Sequence, residues 1–194
     1  MRGRRYALGR YLLMDVRGAK TPLPGRQLLA SIAVAQQRTF EQDPKYSLRL
    51  LVDVAIKALS PAINDPTTAV QAIDQIEDLL RRLGRYELEV GYARDANGVV
   101  RVIFPVPTWE DYLRLSFDEI RQYGASSVQV MRRLRSALSG VAEAVAIETR
   151  TATVRSYLKQ LDSGIARSSL DAEDRLIASQ EDRQGLGLSR KQAA

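Results

Sequence analysis

Two Asp-Pro dipeptides, Asp43-Pro44 and Asp65-Pro66, constrain the fold of this chain more than any other feature. An Asp before a helix accepts hydrogen bonds from the free amides of the first turn, and Pro at the first helical position lacks only an N–H that would have no helical partner. Each dipeptide therefore predicts a helix start. Ser60-Pro61 ends the first of these helices, because the residue before Pro is disfavoured in helical geometry. The sequence predicts one helix from Pro44 to about Leu59 and another from Pro66 to Leu83.

Apolar residues at helical spacing predict the remaining helices. A hairpin is predicted between the third and fourth helices, with strands Tyr86–Ala93 and Val99–Phe104 and a turn at Asp95–Gly98. Thr108, followed three residues later by Asp111, is a variant of the capping box that opens the fourth helix. The other predicted helices are Gln27–Thr39, Trp109–Tyr123, a fifth from Ser126 or Ser127 to about Leu138, Val141–Leu161, and one loose helix near Leu170–Ser179.

The predicted fold class is mainly α: a helical bundle with one β-hairpin inserted between the third and fourth helices. Residues 1–26 are predicted to form a basic, irregular N-terminal arm, with a short strand at Tyr11–Val16. Residues 27–162 form the helical domain with its hairpin at 86–104, and residues 163–194 form a weakly ordered tail. The 194 residues suffice for one domain with a hydrophobic core.

Two helices carry charged residues whose placement we can predict. Lys45, Arg49, Asp53 and Lys57 fall every four residues along the second helix, and almost everything else in it is apolar. Such a pattern predicts a helix buried on most of its circumference, at the centre of the bundle. In the fifth helix, Arg132, Arg133 and Arg135 are predicted to point outward, while Val128, Met131, Leu134 and Leu138 point inward.

The chain contains no Cys and no His. This inventory excludes disulfides, thiolate or imidazole metal ligands, Cys nucleophiles and triads that use His as the base. We expect no enzymatic activity and no cofactor. The longest apolar run, Leu48–Ala58, is interrupted by charges and falls short of the roughly 20 residues that cross a bilayer. We expect no transmembrane segment and no signal peptide in this chain.

The net charge of +6 is concentrated at the N-terminus. Residues 1–17 hold five Arg and one Asp, which leaves only +2 for the rest of the chain. This balance argues against nucleic acid as a partner, since binding it would need a basic face on the folded part. The arm is either a solvated terminus or a segment that contacts anionic lipid or phosphate.

Several short motifs of the central block match those of a known family. They are Arg38-Thr39, Gln42-Asp43-Pro44, Leu51–Ala55, Ala58–Pro61 and Asn64–Ala69, with a looser likeness through the hairpin and Tyr112–Gly124. Together they resemble a bacterial family of predicted membrane proteins, the domain of unknown function twenty-two fifty-four. That family's pattern opens with several membrane-spanning helices, which this chain lacks. The resemblance implies that the chain corresponds to a C-terminal soluble portion, and it brings no established functional residues.

Polar residues around the second helix form the candidate functional cluster. Asp43 and Asp65 have a sufficient role as helix caps. Asp53 would be costly to bury alone, so we expect it to pair with Arg49, Lys57 or Arg38. Asn64, Thr67 and Thr68 either cap the third helix or line a polar pocket beside Asp53. The full cluster is Arg38, Gln42, Asp43, Arg49, Asp53, Lys57, Asn64, Asp65, Thr67 and Thr68.

These observations favour a non-catalytic regulatory or interaction domain at the cytoplasmic face of a bacterial membrane. Its expected partners are a membrane-spanning protein or an anionic lipid surface. Association into a homo-oligomer is a further alternative. The second hypothesis is a domain that binds a small ligand or a divalent ion, and the third is a carboxylate-based hydrolase. A metal site of Asp43, Asp53 and Asp65 is disfavoured, because the two end loops of the second helix lie about 24 Å apart at 1.5 Å per residue.

The basic arm leads to a testable prediction. If Arg2, Arg4, Arg5 and Arg10 bind anionic membranes, sedimentation with acidic liposomes should fall sharply when salt is raised. It should fall equally when residues 1–10 are deleted, because both changes remove the same screened attraction. Equal binding before and after the deletion would identify the arm as a solvated terminus.

Overall fold

The computed structural model describes residues 4–8, 11–16, 24–30, 43–88 and 90–187. These residues form a mainly helical fold with an antiparallel hairpin between the third and fourth helices, which confirms the predicted fold class. The chain divides into two compact units, residues 1–38 and residues 39–194. The elements are β1 (Arg4–Leu8), β2 (Tyr11–Val16), α1 (Gly25–Ala30), α2 (Pro44–Ala58), α3 (Pro66–Leu83), β3 (Tyr92–Arg94), β4 (Val100–Ile103), α4 (Trp109–Tyr123), α5 (Val128–Ala144), α6 (Glu148–Ala166) and α7 (Ala172–Ala178).

The N-terminal unit differs from the irregular arm predicted for residues 1–26. β2 coincides with the predicted strand, and it pairs antiparallel with β1, with a register shift between Tyr6 and Ala7. The segment Arg4–Leu8 lacks the apolar-polar alternation that signals a strand, so the sequence did not reveal β1. The predicted first helix begins at Gly25 instead of Gln27, and its part beyond Ala30 lies outside the described residues.

The helix starts predicted from caps are confirmed in the second unit. The Asp43 carboxylate accepts a hydrogen bond from the Lys45 amide, at 3.1 Å. Thr108 and Asp111 form the reciprocal bonds of a capping box at the start of α4. α3 and α4 have the predicted bounds, whereas α5 continues six residues further than predicted, from Leu138 to Ala144.

The core of this unit lies between α3 and α5; α2 packs on α3, α6 packs on α5, and α4 contacts α2, α5 and α6. Among the described elements, α2 packs mainly against α3 and α4, at the edge of the bundle. The prediction that α2 is buried on most of its circumference is therefore wrong: Leu50 and Val54 are exposed. Its buried side is narrow and consists of Leu48, Val52, Ala55 and Ala58.

The arginines of α5 correct a second prediction. Arg132 and Arg133 were expected to point outward, yet both are buried, and Arg135 is half-buried. The Arg133 guanidinium lies 2.5 Å from an oxygen of Asp74 and 2.5 Å from an oxygen of Glu77, both on α3. Arg135 pairs with Asp162 of α6. Carboxylates on neighbouring helices thus allow these charges to lie inside the bundle.

Residues 172–187 fold back onto α5. α7 matches the loose helix predicted near 170–179, and Ala178 is buried. Beyond it, the buried Asp182 carboxylate accepts hydrogen bonds from the amides of Gln184, Gly185 and Gly187. Arg132 donates to the carbonyl oxygens of Glu181 and Gly187. The described part of the predicted weakly ordered tail is therefore tied to α5 through residue 187.

The buried Arg133 yields a prediction about stability. Arg133→Ala should lower the free energy of unfolding by about 3 kcal/mol, because the largely buried Glu77 would lose its closest partner and keep only the longer contact with Arg81. Urea denaturation would measure the loss. The matched control is Arg82→Ala, which removes an exposed pair with Asp78 and should cost less than about 1 kcal/mol. Equal losses in both variants would contradict a structural role for the buried pair.

Candidate functional site

The predicted polar cluster falls into three separate places. Arg38 and Gln42 lie outside the described residues. Asp43 lies at the start of α2, where capping accounts for its carboxylate. Arg49 and Asp53 lie along α2, and Lys57 is exposed in its last turn. Asn64, Asp65, Thr67 and Thr68 lie at the junction of α2 and α3.

Arg49 is the centre of the second group. Its Nε donates to Asp53 Oδ1 at 2.8 Å, as the spacing of four residues predicted. Its two terminal nitrogens also reach Glu119 of α4, at 2.5 and 3.1 Å. Hydrogen bonds from Arg49 lower the pKa of the Glu119 carboxyl, and those to Glu119 and Asp53 raise the pKa of Arg49. One guanidinium therefore bonds two carboxylates and ties α2 to α4.

Glu119 was not predicted to belong to this group. It lies 70 residues from Arg49 along the chain, and no local pattern marks it. Only the packing of α4 against α2 brings the two together. Prediction of the Arg49–Glu119 contact from the sequence would have required knowing that α2 and α4 are neighbours.

The junction of α2 and α3 is built around Asp65. Its carboxylate accepts a hydrogen bond from the Thr68 amide at 3.1 Å and another from the Thr68 hydroxyl at 2.5 Å, and these bonds lower its pKa. Asn64 has a φ of 48°, a left-handed conformation that Asn tolerates better than most residues. The Asp65 amide donates to the carbonyl of Ala58, at the end of α2. Asp65 is therefore the cap of α3, and Thr68 contributes to that cap as the donor of both hydrogen bonds.

Asp43 and Asp65 lie at opposite ends of α2. The helix has 15 residues, which corresponds to about 22 Å at 1.5 Å per residue. A single ion cannot bind both carboxylates. Within the described ranges, no group of three or more acidic residues is arranged to hold a metal ion.

The hairpin carries a surface that the polar motifs did not indicate. Eight of the fifteen exposed large apolar residues in the described part of the chain lie between residues 86 and 104. Every residue of β3 and β4 is exposed, and Ile103 retains 83% of its accessible area. Tyr92 pairs with Ile103 and Ala93 with Val102, so both faces of the hairpin carry apolar side chains. We define the hairpin surface as Tyr86, Val90, Tyr92, Val99, Val100, Val102, Ile103 and Phe104.

Polar contacts hold the turn and the base of the hairpin. Asp95 accepts hydrogen bonds from the Asn97 and Val99 amides and from Arg101, which together lower its pKa. At the base, the Arg150 guanidinium donates to the carbonyls of Gly84 and Tyr86. Arg150 also lies over the Trp109 ring, 5.7 Å from its centroid. The base is anchored to the helices, while the strands project with their side chains exposed.

Comparison with known proteins identifies one family and several relatives. The family model described as predicted membrane protein (DUF2254) matches residues 7–140. The uncharacterized proteins Rv1290c of Mycobacterium tuberculosis and Mb1321c of Mycobacterium bovis are each 31% identical over 165 residues, which cover 83% of this chain and 32% of each relative. The chain thus spans about a third of the length of these curated relatives. No solved structure matches it.

The helices were also compared with the length and hydropathy that a membrane span requires. Of the helices that the structure describes, none combines sufficient length with sufficient apolar character to cross a bilayer.

The Arg49 group yields a prediction that separates structure from metal chemistry. Asp53→Asn should lower the melting temperature slightly and the free energy of unfolding by less than about 1 kcal/mol, because Glu119 still holds Arg49. Asp53→Asn combined with Glu119→Gln should lower it by more than the sum of the single changes, since Arg49 then loses both partners.

Divalent ions should add no stability to the parent protein, as followed by thermal denaturation. A saturable Mg²⁺ or Ca²⁺ shift that disappears in Asp53→Asn would contradict this reading, because a ligand that binds only the folded state stabilises it by mass action.

Proposed function

This chain belongs to the DUF2254 family of predicted membrane proteins, and on that basis we propose that it is a non-catalytic interaction domain that docks on the lipid bilayer through its hairpin. The hairpin surface is the observation that carries the proposal. Exposed apolar area is normally scattered over a protein, and a concentration of it marks an interaction site. Here it is concentrated on one projecting element.

The arrangement of the hairpin surface favours lipid as the occupant. A protein partner or a paired strand would cover one face or one edge, whereas β3 and β4 expose apolar side chains on both faces. The interfacial region of a bilayer surrounds an inserted element and accommodates both. Tyr and other aromatic residues favour this region, because their rings are apolar and their polar groups stay hydrated. Tyr86, Tyr92 and Phe104 are the aromatic members of the surface.

The charge of the hairpin is balanced, so its binding to a membrane has a different origin from the binding of a basic arm. Residues 85–104 contain Arg85, Arg94 and Arg101 and an equal number of acidic residues, Glu87, Glu89 and Asp95. Burial of apolar area, not attraction to anionic head groups, therefore drives the docking.

Two observations support the non-catalytic part of the proposal. The chain has no His and no Cys, the residues that most often act as bases and nucleophiles near neutral pH. Among the described carboxyls, those with a shifted pKa all have it lowered, namely Asp65, Asp95, Asp111 and Glu119. A general acid would need the opposite shift.

Vesicle binding tests the proposed function. Ile103→Ser combined with Phe104→Ser should weaken binding to phosphatidylcholine vesicles at least about tenfold, since two apolar side chains no longer leave water. The loss should be the same at low and high salt. The matched control is Ile63→Ser with Leu176→Ser, which removes two exposed apolar residues outside the hairpin and should leave binding unchanged.

Two results would overturn lipid docking. One is equal binding of the hairpin variant and the control. The other is a dimer of the parent protein that dissociates only in the hairpin variant, because a second copy would then be the occupant. Analytical ultracentrifugation of the three proteins distinguishes this second case.

A further inference from the structure

An open, basic cavity lies between α4 and α6, away from the polar cluster and the hairpin strands. Its volume is about 290 Å³. α4 and α6 run parallel here: Trp109 and Arg150 meet near their first turns, and Arg121 lies beside Gly164 near their last turns. We define the basic cavity by its lining residues, which are Arg121, Lys159, Gln160, Ser163 and Arg167.

The charge of the lining is unbalanced. It contains three cations and no acidic residue. In the described ranges, none of Arg121, Lys159 and Arg167 forms an ion pair, whereas nine other arginines do. Asp162, which lies one turn from Lys159, already pairs with Arg135. The Nε of Arg121 is buried without a hydrogen-bond acceptor.

Helix dipoles do not account for this cluster. The C-terminal ends of α4 and α6 lie near the cavity and favour cations. Each end carries only about half a negative charge, so two ends offset about one of the three positive charges. The cavity keeps a net positive charge and a buried donor that lacks an acceptor. An unpaired buried donor is unfavourable until an acceptor occupies the space beside it.

We propose that the basic cavity binds a phosphate group. Cations from three separate positions match a tetrahedral anion with more than one negative charge better than a carboxylate, whose charge and oxygens lie in one plane. Arg121 would supply its fork of donors, Lys159 and Arg167 would supply charge, and the Gln160 amide one more donor. The volume lies just below the range of about 300–1,000 Å³ typical of sites for drug-sized ligands, so the site suits inorganic phosphate or the phosphate of a lipid head group.

Calorimetry with inorganic phosphate at low salt tests the site. The parent protein should bind with one-to-one stoichiometry, and Lys159→Gln combined with Arg167→Gln should weaken binding at least tenfold. The matched control is Arg155→Gln, on the same helix but paired with Glu148 outside the cavity, which should bind like the parent. Arg121→Gln should also weaken binding, and circular dichroism would confirm that each variant is folded.

A second arm distinguishes the two sources of phosphate. The hairpin variant Ile103→Ser with Phe104→Ser is mixed with phosphatidylcholine vesicles, with and without phosphatidic acid, so that docking through the hairpin does not contribute. Recruitment that needs phosphatidic acid, and that disappears when Lys159 and Arg167 are also replaced by Gln, identifies a lipid head group. Binding of inorganic phosphate without such recruitment identifies a free phosphate.

The proposal is overturned if neither inorganic phosphate nor phosphatidic acid binds. It is also overturned if Arg155→Gln weakens binding as much as the cavity variant, since binding would then follow overall charge. These outcomes are independent of the hairpin, because binding of inorganic phosphate involves no membrane.

Discussion

The contact between Arg133 and its two carboxylates on α3 is the interaction on which the rest of this structure depends. α3 and α5 form the centre of the bundle, and a nearly fully buried guanidinium lies between them. Gly140 makes this arrangement possible, because a side chain there would collide with the Glu77 carboxylate. Two further arginines extend the same device to irregular segments: Arg132 binds carbonyls of the C-terminal turn, and Arg150 binds carbonyls at the base of the hairpin. Arginine suits this role because one planar group donates several hydrogen bonds in fixed directions.

Sequence reasoning succeeded where the determining contacts are local. Asp43, Asp65 and Thr108 act within three residues of the amides they cap, so their roles could be predicted from spacing alone. The Arg49–Asp53 pair belongs to the same class. Glu119 and the burial of Arg133 could not be predicted, because their partners lie more than 50 residues away. α5 continues past the predicted end at Leu138 as far as Ala144, and its Gly140 faces Glu77 on α3, a contact between helices that helix propensity does not register.

The candidate surfaces show the same contrast between local features, which could be predicted, and contacts between helices, which could not. The polar cluster was visible in the sequence; capping explains Asp43 and Asp65, and one shared guanidinium explains the pairing of Arg49 with Asp53. The hairpin was predicted as an element, but the exposure of both its strands could not be predicted, because periodicity does not reveal which elements cover one another. The basic cavity depends on the parallel packing of α4 and α6. Both surfaces are therefore products of tertiary structure, and both are exposed on a member of a family of predicted membrane proteins.

The anchoring of the hairpin gives the molecule an internal optical reporter. Trp109 is the only Trp in the sequence, it is buried, and its indole N–H donates to the carbonyl of Arg150. The guanidinium of that same Arg150 lies over the indole ring and binds the backbone at Gly84 and Tyr86. A displacement at the base of the hairpin therefore changes the charge and polarity beside a single fluorophore. Intrinsic emission can follow the state of the hairpin without any attached dye.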